Sequence, residues 1–193
     1  MRLFAAFELP STARSGIADA FARVRALTPK VKWVSPENMH LTLHFFGEVA
    51  DTGVSGLAAI FDDASLRVPA ITIRLAGVGF FPGGGPPKVL WAGISQGVDR
   101  MRAFWTRLAQ GLEAVRADGG PLRDWKPDPR GFSPHITVAR AGAVPLSRQW
   151  AAEVRLPDGE FVVEHCVLFQ SILGPGGARY VPLRTIQLGG EAA

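Results

Sequence analysis

The chain has 193 residues, 47% of them apolar and 20% charged, a balance that supports a buried core and excludes a disordered or fibrous protein. Its net charge of +4 and pI near 9.8 favour an anionic partner, nucleic acid or a phosphorylated small molecule, yet no Lys/Arg block resembles a nucleic-acid-binding tail. A single cysteine, Cys166, excludes an internal disulfide and a cysteine-based zinc cage, and no apolar run reaches the roughly 18 residues of a membrane span.

The first residues, MRLFAAFELP, meet Glu8 and Pro10 too early for a signal peptide, so a reducing cytoplasm is the expected location. Residues 2–9 read instead as a strand. Pro10 and Ser11 open a helix with Ser11 as its N-cap and Ile17, Phe21, Val24 and Leu27 as its apolar stripe. After Pro29, KVKWVSPEN leads to a strand at 39–46, a helix over about 53–65 and a long strand at 69–80. The Gly/Pro segment FPGGGPPK at 81–88 joins this series to a second. That one holds a strand at 88–94 and a helix at about 98–115, whose Val98, Met101, Trp105, Leu108, Leu112 and Val115 recur at steps of three and four. A polar loop, a strand at 134–140, a helix over about 147–154 and a strand at 159–172 follow, and a strand at 180–188 closes the chain.

The same order of elements therefore occurs twice. It predicts one bilobal domain over 1–193, with repeats at about 1–83 and 84–175 and a closing strand at about 180–188. The fold class is α+β: two pseudo-symmetric lobes of antiparallel sheet with helices on their outer faces and the active site in the groove between them.

Each repeat carries the same motif in its second strand, His40-Leu41-Thr42-Leu43 and His135-Ile136-Thr137-Val138. Residues two apart on a strand share a face, so each histidine lies beside a threonine while the apolar residues turn to the core. A pseudo-twofold between the lobes would bring the two faces together across the groove. Imidazole titrates near neutrality, so one ring can accept a proton while the other gives one. Two hydroxyls can donate hydrogen bonds to an anion. Such a site suits in-line displacement at phosphorus. A metal site built on His40, His44 and His135 is disfavoured, because no carboxylate cluster accompanies them and the threonines would be idle.

The pair HLTL and HITV resembles the 2H phosphoesterase superfamily, which is defined by two such motifs. The flanking residues resemble its bacterial and archaeal RNA 2′,3′-cyclic phosphodiesterases, also called 2′-5′ RNA ligases. They are Lys32-Trp33-Val34 ahead of Asn38-Met39-His40, then Phe45-Phe46-Gly47-Glu48, Phe132-Ser133-Pro134-His135 running into Ala139-Arg140, and Ser171, Gly177 and Tyr180-Val181-Pro182-Leu183. Met39 stands where leucine is commoner in the family, and His44 occupies a variable position.

The resemblance implies hydrolysis of 2′,3′-cyclic phosphate ends of RNA to 2′-phosphomonoesters by a monomer, with no metal or other cofactor, and a weak, reversible 2′-5′ ligation without ATP. By position, His40 becomes the general acid that protonates the departing O3′ and His135 the general base. Thr42 and Thr137 hold the phosphate, and Arg140 matches a family arginine near it. Two alternatives remain: a small nucleotide or ADP-ribose cyclic phosphate as substrate, or a non-catalytic RNA-binding module.

Around the motifs the sequence leaves several choices open. His44 is placed on the motif face, touching RNA or solvent. Arg140, five residues after His135, falls on the opposite face by strict alternation, so its role needs a strand end or a bulge. Trp33 and Phe132 suit base stacking or core packing, and Arg123, Lys126 and Arg130 an RNA backbone or plain solvent. His165 reads as a structural strand histidine and Cys166 as a small buried hydrophobe.

Overall fold

Strands and helices alternate in the predicted order, and the computed structural model describes residues 1–65, 68–117, 122, 125, 126, 131–174 and 177–188. The first series is β1 (Arg2–Glu8), α1 (Ser11–Ala20), α2 (Ala22–Leu27), β2 (Lys32–Trp33), β3 (His40–Glu48), α3 (Val54–Ser65) and β4 (Ile71–Phe81). The second is β5 (Val89–Gln96), α4 (Val98–Ala117), β6 (His135–Arg140), α5 (Trp150–Glu153), β7 (Glu160–Val163), β8 (His165–Gly174) and β9 (Gly177–Gln187).

The strands form one antiparallel sheet in the order β7-β4-β5-β6-β3-β1-β8-β9, with β2 pairing β6 where β3 has turned away. Its centre is the junction of β3 and β6. On one side β3 is followed by β1 and β8, and on the other β6 is followed by β5 and β4. β4 and β8 have thus crossed over: β4 of the first series pairs with β5 of the second, and β8 of the second pairs with β1 of the first.

The single strand expected at 159–172 is two. It breaks at Glu164, so that β7 pairs with β4 at one end of the sheet while β8 pairs with β1 near the other. The two residue steps from Val163 to His165 span at most about 7 Å. The sheet therefore curls until its two ends approach each other, a half-barrel with helices.

One face of the sheet makes the core. Leu3, Ala5, Phe7, Leu41, Leu43, Ile73, Leu90, Ala92, Ile136 and Val138 meet Ile17 of α1, Leu57 and Phe61 of α3, and Met101, Phe104, Leu108 and Leu112 of α4. Three local expectations change here. Ser11 is the first helical residue, and Pro10 is the N-cap with no side-chain cap bond. The first helix is interrupted at Phe21 (φ −97°, ψ 0°), which shifts the phase of the turns beyond it and leaves Leu27 71% exposed, outside the apolar stripe. The helix expected at 147–154 is a single turn, Trp150–Glu153.

Candidate active site

A β-bulge follows each His-x-Thr motif and decides which side chains share its face. Between β1 and β3 the register runs Ala6↔Thr42 and then Ala5↔His44, so Leu43 is an extra residue. Between β5 and β6 it runs Trp91↔Thr137 and then Leu90↔Ala139, so Val138 is extra. An inserted residue reverses the alternation beyond it. Leu43 and His44 are therefore both buried, as are Val138 and Ala139, while Phe45 and Arg140 return to the face of the histidines and are exposed.

This settles the placement of Arg140, which the bulge returns to the motif face. It also overturns the placement of His44, which lies in the core with 4% exposure. The His44 ring stacks on Trp105 (4.9 Å, 12°) and meets the edge of Trp125, and its Nε2–H donates to the Trp105 carbonyl at 3.2 Å. Burial lowers its pKa and keeps the ring neutral. The indole N–H groups of Trp105 and Trp125 in turn donate to the carbonyls of Leu43 and Phe45, at 3.1 and 3.0 Å. Two tryptophans thereby satisfy polar groups of β3 beyond its junction with β6.

At that junction Leu41 pairs with Ile136. The antiparallel register through this pair sets His40 across from Thr137 and Thr42 across from His135, all on the face opposite the core. The two histidines are held alike. His40 Nδ1–H donates to the carbonyl of Asn38 and His135 Nδ1–H to that of Ser133, both at 2.8 Å and both two residues back. This fixes each tautomer, with the proton of the neutral ring on Nδ1 and the basic lone pair on Nε2.

Aromatic rings wall both histidines. His40 lies against Phe4 (4.9 Å) and edge-on to Tyr180 (5.1 Å), with Phe169 at 6.4 Å. His135 is edge-on to Phe81 (4.9 Å) with Trp91 at 6.4 Å. The Trp91 ring covers Gly79 so closely that a Cβ there would fall 2.1 Å from it, and its buried indole N–H has no partner among the described residues. Burial pushes the His40 pKa down to about 4; the positive charges of Arg140 and His135 add to this, and the Asn38 carbonyl opposes it.

Sequence reasoning singled out neither Phe4, Phe81, Trp91 nor Phe169, and Tyr180 only as part of a family pattern. The alternation of β1 and β8 carried the signal, but it needs the pairing partners to be read. Trp33 and Phe132 pack: the Trp33 indole donates to Thr28 O at 3.0 Å with its ring on Trp150, and Phe132 stacks on Trp105. His165 lies half-buried on β8 between Glu8 and Gln187. Cys166 is fully buried, and burial raises its pKa, so it is no nucleophile. Lys126 is exposed, and Arg123 and Arg130 lie outside the described residues. Among the described residues no three His, Cys, Asp or Glu side chains gather to hold a metal ion, and no helix is long and apolar enough to cross a membrane.

Paired imidazoles tethered through Nδ1, a threonine beside each and a guanidinium at the rim, on a curled antiparallel sheet, fit a two-histidine phosphoesterase. The family model described as LigT like Phosphoesterase matches residues 7–91. An RNA 2′,3′-cyclic phosphodiesterase of Thermus thermophilus is 35% identical, with 99% of this chain and 92% of that protein covered. One of Archaeoglobus fulgidus is 30% identical over 97% of this chain and all of that one. The crystal structure of TT0787, also from Thermus thermophilus, superposes with a TM-score of 0.80 at 32% identity, covering 99% of this chain and 100% of that one. The chain belongs to the RNA 2′,3′-cyclic phosphodiesterase family of LigT-like phosphoesterases, and is an enzyme of that class.

Proposed function

We propose that the enzyme hydrolyses 2′,3′-cyclic phosphate at RNA 3′ ends to a 2′-phosphomonoester, without a metal ion. The observation that carries this reading is the matched tethering of His40 and His135, each fixed through Nδ1 to a carbonyl with Nε2 turned to one shared face. His135 takes a proton from water as the water oxygen attacks phosphorus. The P–O3′ bond breaks on the opposite side, and His40 donates the proton that O3′ requires. Thr42 and Thr137 hydroxyls and the Arg140 guanidinium hold the non-bridging oxygens.

The low pKa of His40 comes from burial first and from the neighbouring charges of Arg140 and His135 second. A phosphodiester anion between the rings offsets the charges of Arg140 and His135, so binding substrate loads His40 with the proton it will give away. With a 5′-hydroxyl in place of water the same groups, in the same roles, join 2′-5′ ends weakly without ATP; the reverse cleavage of that linkage exchanges acid and base. The crossing over of β4 and β8 supports a single bilobal unit, with repeats at about 1–83 and 84–175.

The test is an oligoribonucleotide ending in 2′,3′-cyclic phosphate, incubated with enzyme and EDTA and no ATP, the product read by phosphorus NMR. A 2′-phosphate supports the reading. Activity only on adding a divalent metal, or a 3′-phosphate product, contradicts it.

A further inference from the structure

Beside the catalytic groove lies a cavity of about 840 Å³ lined by Arg25, Val31, Lys32, Trp33, Gly174 and Gly177. We propose that it binds the phosphodiester one step upstream of the reacting end, so that the enzyme selects oligonucleotides over cyclic mononucleotides. This rests on the RNA-end reading above.

Three observations tie the cavity to the site. Lys32 pairs with Arg140 across β2 and β6, and directly paired residues share a face with Cβ atoms about 5 Å apart. Its neighbour Trp33 pairs with the buried Ala139 and is half-buried, whereas Lys32 is exposed beside Arg140. Asn38 links the cavity wall to the acid. Its carbonyl accepts from His40 Nδ1–H, and its side-chain amide donates to Ala178 O at 3.2 Å, next to Gly177. Finally, the Lys32 stem lies across Gly142, where a Cβ would meet it at 3.0–3.2 Å, so the absence of a side chain there lets the lysine lie flat along the cavity edge.

The cations themselves are unspent. Arg14, Arg74, Arg102, Arg116 and Arg184 each pair with a carboxylate, whereas neither Arg25 nor Lys32 makes an ion pair or side-chain hydrogen bond among the described residues. Glu37 feels the charge of Arg25 only as a lesser influence, being held chiefly by a hydrogen bond from Ser35 and feeling Arg14 as well. Arg140, Lys32 and Arg25 thus form a positive track leading away from the reacting phosphate. A cyclic mononucleotide has nothing to place on the outer part of it. An RNA chain, leaving the site through its 5′ oxygen, presents a phosphodiester there.

The experiment compares 2′,3′-cyclic AMP with a tetra-adenylate ending in 2′,3′-cyclic phosphate, on the wild type, Lys32→Met, Arg25→Met and the double variant. Each exposed cation removed is expected to raise the KM of the tetranucleotide roughly tenfold with kcat unchanged, the worth of one charge-assisted contact. The KM for cyclic AMP should stay within about twofold. The slope of log KM for the tetranucleotide against log salt should fall by about 1.4 in the double variant. Unchanged tetranucleotide kinetics, or equal losses on both substrates, overturns the inference. Wild-type turnover of neither substrate overturns the reading of the reaction, and the inference with it. Retained cyclic AMP turnover shows that the variants are folded.

Discussion

The two halves of the site share a backbone and differ in everything around it. In both, a strand presents His-x-Thr, a bulge follows, and the imidazole is tethered to a carbonyl two residues back. Beyond the bulge the counterparts diverge: His44 against Ala139 in the core, and Phe45 against Arg140 on the groove face. The His40 ring sits in a nest of Phe4, Phe169 and Tyr180, while His135 has Phe81 and Trp91. Repetition thus supplies two imidazoles in one geometry, and in the proposed reaction the unlike surroundings suit them to different tasks. Arg140 rides on the strand of His135, yet its charge bears on His40.

The largest expected effect comes from removing either imidazole. His40→Ala and His135→Ala should each lower kcat on an RNA cyclic phosphate by roughly 10²–10⁴-fold, with binding of a 2′-phosphate product retained by calorimetry. Loss of binding and turnover together would dissolve the role given to that histidine. Arg140→Met should cut kcat/KM by about 10–100-fold, the range of one or two charge-assisted bonds. It should also raise the titration point of His40 followed by NMR, because a positive neighbour is gone. An unmoved His40 would sever the two halves electrostatically.

The pH dependence sharpens the contrast. An acid must be protonated, so the limb of kcat/KM that falls with rising pH follows the free enzyme, where His40 titrates at about 4. The matching limb of kcat follows the complex and should lie at distinctly higher pH. Coincident limbs would show that substrate does not load His40.

The smallest effect is on stability. His44→Ala leaves a cavity and an unpaired Trp105 carbonyl, which should cost about 2–4 kcal/mol in denaturant unfolding. The pKa values of His40 and His44 are both lower in the folded protein than the ordinary 6.5. The unfolded chain therefore binds protons first: their contribution is complete above about 6.5 and is lost as pH falls towards the folded values. The decline in melting temperature as pH falls below about 6.5 should be shallower in the His44 variant.

The motifs and the helix-covered core were legible because each is local: His-x-Thr is three residues, and the α4 stripe is a simple period. What escaped depends on partners. Whether Leu43 or Val138 is a bulge is set by register against β1 and β5, so alternation alone put His44 on the wrong face and left Arg140 open. The break at Glu164 is invisible in a run of β-formers because it is imposed by two neighbours at opposite ends of the sheet. The aromatic nest around His40 comes from β1, β8 and β9, strands far apart in sequence.

The division of labour between the halves is tested most directly with a phosphodiester whose leaving group needs no proton, such as a 4-nitrophenyl ester. On it, His40→Ala should approach wild-type turnover, since the acid has nothing to do, and His135→Ala should stay inactive because water still needs a base. Rescue of His135→Ala instead, or of neither variant, would contradict the account.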